Sequence, residues 1–256
     1  MAGLKAYSIL ITGSNRGLGL GLVKQLVGQC NRPEWIFSTC RDRGGPGAQE
    51  LKNLAAKHNG IEIISLDTSD PSSIGAAATR VTERLKGAGL NLLINNAAIL
   101  KLNTLESETP GDMSELYKTN VIGPLVMSQA FLPLLRKAAQ ESTQKGMSCS
   151  KAAIINISSE NGSITNVFAW SLAQTISYRC SKAALNMLTR CQSLGFAEDE
   201  ILCVALHPGW VQTEMGGNFA PQSVDPTARD IMNTLAHLSE KDNGTFMNWE
   251  GEALPW

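Results

Sequence analysis

Short, wholly apolar runs separated by stretches of helical periodicity recur along this chain. Residues 9–11 (Ile9, Leu10, Ile11) carry no polar alternation, as expected of a strand covered on both faces. Residues 18–29 follow with Leu18, Leu22, Val23 and Leu26 at helical spacing. The alternation continues with strand 35–40, helix 48–58, strand 61–66, and a helix from Pro71 to about Lys86 that Asp70 caps before 87–89 ends it. Strand 90–95 comes next. A long helical pattern over 112–140 is interrupted at Gly123-Pro124 and again at Pro133, and 141–151 reads as a polar, mobile loop. Then come strand 152–157, helix 178–196, strand 201–206, helix 226–238 and a short strand near 245–248.

Strand and helix in strict alternation, without hairpin signals, require crossover connections. The pattern therefore predicts an α/β protein whose doubly wound parallel sheet is covered by helices on both faces, with ligands beyond the carboxyl ends of the strands. No repeat, low-complexity tract or linker interrupts it, so residues 1–256 read as one domain.

Composition narrows the options. Hydrophobic residues are 43% and charged residues 18%, ordinary globular usage, and the net charge of -1 argues against a nucleic acid or an anionic membrane as partner. Six cysteines (30, 40, 149, 180, 191, 203) form no C-x-x-C pair, and the first residues lack a basic region followed by a long apolar run. These features read as reduced thiols in a cytoplasmic protein. Three scattered histidines give no metal site, and no stretch has the roughly 18 apolar residues of a membrane span.

Candidate chemistry gathers at the predicted strand ends. After the first strand, T-G-S-N-R-G-L-G (Thr12 to Gly19) forms a glycine turn. Gly13 permits the exit from the strand, Gly17 lets backbone amides approach a ligand, and Gly19 lets helix pack on strand. Unpaired N–H groups and the helix dipole then make an anion site, in this architecture for a pyrophosphate; the alternative is a turn that binds nothing. The second strand ends in neutral Cys40 followed by Arg41, where an NAD site usually holds an acid about 20 residues beyond the glycines. Arg41, with Arg16 in the turn, suits a 2′-phosphate; in the alternative, Asp42 turns inward to a ribose. Pro124 lacks an N–H for the Asn120 carbonyl, so a kink should free that carbonyl for a water, or simply bend the helix.

Tyr178 and Lys182 lie four apart on one helix, and a cation at that distance should lower a phenol pKa. Alone, such a pair is common on surfaces. Ser158-Ser159, at the end of the preceding strand, supplies a hydroxyl that can converge with Tyr178 on one carbonyl oxygen. A hydrolase is not indicated: no G-x-S-x-G surrounds Ser158, and His207 precedes a proline turn.

Taken in order, these motifs together with Asp67, Asn95-Asn96-Ala97, Asn120 and Pro208-Gly209 with Val211 and Thr213 resemble the short-chain dehydrogenase/reductase family over nearly the whole chain. The closest likeness is to its sniffer-type carbonyl reductase branch. The resemblance implies a Rossmann-like domain that reduces aldehydes, ketones or quinones with NADPH. In that scheme Tyr178 is the general acid, Ser159 holds the carbonyl oxygen, Lys182 tunes Tyr178 and binds ribose, and Asn120 anchors a relay water. The cofactor would meet Gly13, Ser14, Asn15, Arg16, Gly17, Leu18, Gly19, Cys40, Arg41, Asp67, Thr68, Asn95, Asn96, Ala97, Tyr178, Lys182, Pro208, Gly209, Val211 and Thr213. Asp67 is expected at the adenine, Asn95 near its ribose, and Val211 with Thr213 at the carboxamide. The alternatives are an NAD-linked alcohol or steroid dehydrogenase, or a silent nucleotide-binding sensor or scaffold. The family also suggests a homodimer. The stretch between Ser159 and Tyr178 is longer than in many members, and Trp210, Phe168 or Trp170 is expected to line an apolar pocket.

Overall fold

The computed structural model describes residues 3–256. Strands β1 (Ser8–Ile11), β2 (Trp35–Cys40), β3 (Ile61–Ser65), β4 (Leu92–Asn95), β5 (Ala153–Ile157), β6 (Leu202–His207) and β7 (Phe246–Asn248) form one sheet in the order β3-β2-β1-β4-β5-β6-β7. Every pairing is parallel. The chain reverses direction of winding between β1 and β4, which opens a crevice at their carboxyl ends. The doubly wound, Rossmann-like architecture is as the alternation predicts.

One face carries α1 (Gly17–Val27), α2 (Gln49–Lys57) and α7 (Val224–His237), whose Leu22, Leu26, Leu51 and Ile231 pack on Ile9, Ile11 and Ile94. The other face carries α3 (Pro71–Leu85) and α5 (Gly123–Glu141), with Val81, Phe131 and Leu135 against Leu10, Phe37 and Ile154. Burying side chains of this size contributes about 1.5–3 kcal/mol each. Because β1, β4, β5, β6 and β7 are buried on both faces, their sequences are runs rather than alternations.

Asp70 caps α3 as expected, accepting from the Ser72 N–H at 2.9 Å. Two expectations for the central helices resolve differently. Between α4 (Pro110–Tyr117) and α5 lies a π-turn, Lys118–Ile122, which absorbs the irregularity at Gly123-Pro124. Pro133, in contrast, interrupts nothing: α5 runs through it, since the packing of Met127, Phe131 and Leu135 outweighs one missing hydrogen bond. The 141–151 segment is polar but anchored, with Met147 and Cys149 buried and the Lys151 ammonium 2.6 Å from Glu200.

The remaining helix, α6 (Ile176–Gly195), is seated by polar contacts. Its buried side include Asn186, Thr189, Gln192 and Ser193. The Asn156 amide on β5 donates to Thr189 Oγ1 (2.8 Å) and Gln192 Oε1 (2.9 Å), and accepts from Asn95 Nδ2 on β4 (2.9 Å). Gln192 in turn donates to Ser128 Oγ on α5 (2.8 Å), whose hydroxyl donates to the Pro124 carbonyl (2.7 Å). One amide therefore joins two strands and two helices. Asn156→Ala leaves Asn95 Nδ2 and Gln192 Oε1 unmatched, while Thr189 Oγ1 keeps its bond to the Leu185 carbonyl; at about 1–3 kcal/mol per group the expected loss in urea unfolding is about 2 kcal/mol or more with m unchanged. A loss under about 1 kcal/mol would show that the network does not seat the helix.

Candidate active site

The glycine turn after β1 is braced by side chains around it. Thr12 Oγ1 accepts from the backbone N–H groups of Asn96 and Ala97, both at 2.9 Å, while Asn96 Nδ2 donates to the carbonyls of Thr12 (2.9 Å) and Gly13 (3.1 Å). Gly13 sits at φ +63°, and a Cβ on Gly19 would run into the Gly13 carbonyl and lie 2.7 Å from Asn96 Nδ2. The turn delivers the chain into α1 without a side-chain cap: Arg16, at the N-cap, makes no capping bond, and the first turn holds no acidic residue. The N–H groups of its first turn, which have no intrahelical acceptor, and the helix dipole suit an anion. The residues present therefore fit a pyrophosphate.

Arg16 differs from expectation. Its guanidinium pairs with Glu214 rather than standing open for a 2′-phosphate, which draws the 211–216 turn over the glycines; Thr213 Cγ2 would lie 3.2 Å from a Cβ on Gly17. That ion pair joins positions 198 residues apart, so no local pattern announces it. At the end of β2, Cys40 is 3% exposed and burial pushes its thiol up, so the strand end stays neutral. Arg41 is exposed and forms no ion pair among the described residues. Asp42 is committed to its own loop, its Oδ1 accepting from the Gly44 and Gly45 N–H groups at 2.9 Å. At the end of β2, neither Cys40 nor Asp42 thus presents a free carboxylate to a 2′-phosphate.

At the next strand ends, Asp67 Oδ1 accepts from the N–H and hydroxyl of Ser69 (2.8 and 2.7 Å), beside buried Thr68. Asn95, expected near a ribose, instead turns its Nδ2 into the polar network under α6, leaving Oδ1 buried and unpartnered. Beyond β6, Pro208-Gly209 leads to Val211, which bridges Gln222, and to Thr213, whose Oγ1 accepts from the Gly216 N–H at 3.1 Å. Trp210 holds this segment with an indole bond to the Gly216 carbonyl (2.8 Å).

Ser159, Tyr178, Lys182 and Asn120 come together where β5 ends against α6. The Ser159 hydroxyl accepts from the Asn161 N–H at 3.2 Å and lies close enough to the Tyr178 phenol to favour its ionised form. Lys182 Nζ stands 5.5 Å from the Tyr178 ring centroid and donates to the Ile157 carbonyl at 2.7 Å. The two serines separate by geometry: Ser158 Oγ donates to Asn186 Oδ1 at 2.6 Å, inside the helix contact, leaving Ser159 beside the phenol. Asn120 lies in the π-turn. Its side chain is clamped, accepting from the Ile99 N–H and donating to the Ile99 carbonyl (both 2.9 Å) and to Ser181 Oγ (3.0 Å). The α-helical partner of its own carbonyl, an N–H at position 124, does not exist in proline.

Burial dominates the electrostatics of the phenol and pushes Tyr178 up to about 12, with Ser159 acting the other way. Burial likewise brings Lys182 down to about 7. Both groups are driven toward their neutral forms. At the rim, His207 is pushed down to about 4 by burial and lies 3.8 Å from Glu160. Trp170 lines a cleft of about 420 Å³ with Leu102, Leu172 and Thr175, and Phe168 is exposed nearby in sequence. No group of metal-ligating side chains occurs among the described residues, and no helix is long and apolar enough to cross a membrane.

Comparison with known proteins places this arrangement in context. The family model described as short chain dehydrogenase matches residues 7–223. An NADPH-bound carbonyl reductase from chicken fatty liver is 58% identical with a TM-score of 0.96, over 99% of this chain and 100% of that one. The carbonyl reductase Sniffer of D. melanogaster is 40% identical with a TM-score of 0.94, over 98% and 100%. Among curated proteins, an oxidoreductase of Schizosaccharomyces pombe is 30% identical over 96% of both chains.

The low Lys182 value has a consequence for stability. With the folded pKa at about 7 against 10.5 unfolded, the unfolded chain holds the extra proton between those values, so this group makes stability rise with pH across that window. Lys182→Met should flatten that rise, gaining most over the parent near pH 7 and least above pH 10. Urea unfolding from pH 6.5 to 10.5 checks it, and parallel profiles for the two proteins would refute the buried, neutral lysine.

Proposed function

The chain belongs to the short-chain dehydrogenase family, and from that we propose that it is an NADPH-dependent carbonyl reductase acting on aldehydes, ketones or quinones. The observation carrying the reading is the Ser159–Tyr178 hydroxyl pair, backed by Lys182, at the strand end beside an uncapped helix start. The cofactor, when bound, supplies the hydride. The chain's part is to bind, orient and protonate. Ser159 donates to the carbonyl oxygen and fixes its direction. Tyr178 gives its phenolic proton to that oxygen as negative charge develops there. Lys182, behind the ring, supplies the charge that makes the phenol acidic enough, and the carbonyl of Asn120 is the acceptor through which a water resupplies the proton.

The NADPH-bound chicken neighbour supports the choice of cofactor. So do residues of this chain: neutral Cys40, unpaired Arg41, and Asp42 consumed by its own loop. The Arg16–Glu214 pair must open for Arg16 to reach the phosphate, so Arg41 is the principal contact.

Tyr178→Phe should fold and bind dinucleotide as the parent does while turnover of a carbonyl panel falls by about 10²–10⁴, the range for losing a general acid. Turnover at the parent's rate would remove Tyr178 from the reaction. For the cofactor, kcat/KM should favour NADPH over NADH by at least about tenfold, about 1.4 kcal/mol. Cys40→Asp combined with Arg41→Ile should move the preference toward NADH, whereas a parent that prefers NADH would overturn this part of the reading.

A further inference from the structure

Arg179, the residue after Tyr178, is 8% exposed and pairs with no carboxylate among the described residues. A buried guanidinium without a counter-charge is costly unless dipoles replace water. Here they are backbone carbonyls of one segment. Nε donates to the Gln174 carbonyl at 2.6 Å, and NH2 to those of Phe168 at 2.7 Å and Ala173 at 3.0 Å. The same guanidinium lies 5.7 Å from the centroid of the Trp170 ring. All its polar contacts thus fall within 168–174, part of the long stretch between Ser159 and Tyr178.

That stretch does not hold its shape unaided. Val167, Ala169 and Thr175 have φ of +40°, +54° and +44°, a region disfavoured for side chains with a Cβ and most of all for β-branched Val and Thr. Outside the Arg179 contacts it is tied at its start by Trp256, whose carbonyl accepts from the Thr165 N–H (3.0 Å) and hydroxyl (2.8 Å), and at its end by the Thr175 N–H, which donates to the Asn103 carbonyl (3.0 Å), and by Gln174 Oε1, which accepts from the Leu105 N–H (3.0 Å); the middle of the loop is left to Arg179. The loop so held presents Trp170, Leu172 and Thr175 to the cleft of about 420 Å³ that Leu102, Asn103 and Thr104 complete. Leu102 and Leu172 expose most of their surface and Trp170 part of its ring, so the cleft offers an apolar patch among polar neighbours such as Asn103, Thr104 and Gln174.

We propose that Arg179 is a positioning residue that sets the 163–175 loop as the apolar wall of the substrate cleft, and so selects bulky apolar carbonyl compounds over compact ones. The substrate part rests on the carbonyl reductase reading; the loop part does not. Arg179 directly follows Tyr178, so the loop and the phenol are anchored to the same first turn of α6. Three carbonyls at different angles require a planar fork, which an ammonium does not reproduce.

The test compares the parent with Arg179→Met, Arg179→Lys and Trp170→Leu. Hydrogen–deuterium exchange without substrate should speed up at least tenfold over 167–175 in Arg179→Met and Arg179→Lys, and less in Trp170→Leu, while α6 beyond residue 182 is unchanged. In kinetics with NADPH, the KM for a naphthyl aldehyde should rise at least tenfold in both Arg179 variants, with the KM for propanal and both kcat values within about twofold. Unchanged exchange over 167–175 overturns the latch. Equal KM shifts for the two aldehydes overturn the selection. If Arg179→Met does not fold, Arg179→Lys and Trp170→Leu still decide, since a lysine variant matching the parent in exchange refutes the need for the fork. If the parent reduces neither aldehyde, the functional reading fails, and exchange alone judges the loop.

Discussion

The arrangement depends on α6 being held to the sheet by hydrogen bonds rather than by apolar packing. Apolar contacts are non-directional and tolerate small slips and rotations. The bonds from Asn156 to Thr189 and Gln192, and from Ser158 to Asn186, do not. They fix both the rotation of α6 and its position along the strands. Tyr178 and Lys182 are carried on that helix, and Ser159 on the end of β5. The hydroxyl pair that the proposed chemistry needs is therefore a consequence of polar contacts made farther down the same two elements.

The network reaches the third component as well. Through Gln192 and Ser128 it ends on the Pro124 carbonyl, at the start of α5 and next to the π-turn that carries Asn120. Ser181 ties the Asn120 amide back to α6. β5, α6 and the π-turn are thus joined by directional bonds. The cost is a buried unpartnered atom, Asn95 Oδ1, at the edge of the crevice.

Much of the fold is readable from the sequence because burial on both faces writes itself as contiguous apolar runs; each strand lies within two residues of its expected position. The glycine turn is legible for a similar reason, since Gly13 and Gly19 mark places where a Cβ does not fit. What is not legible has a common physical cause. Asn186, Thr189 and Gln192 look like solvent-facing positions on a helix pattern, yet they face the sheet. Arg16 reads as an open cation because its partner, Glu214, is distant in the chain. Arg179 has acceptors that are all backbone carbonyls, which leave no trace in residue identity. Pro133 signals a break that tertiary packing overrides.

The four-residue spacing of Tyr178 and Lys182 puts the ammonium beside the ring, and burial then acts on both groups. Spacing fixes distance, whereas pKa depends on distance and dielectric together. Burial opposes both the phenolate and the ammonium, and the ammonium faces the ring and the Ile157 carbonyl, with no carboxylate among the described residues to hold its charge. An anion in the crevice changes the balance, since negative charge favours the ammonium, and the ammonium then favours the phenolate. The uncapped start of α1 and the absence of an acid at the β2 end make this crevice receptive to such an anion. In the proposed reaction, the seating on α6 would fix the pair and an anion at the glycine turn would favour its charged forms.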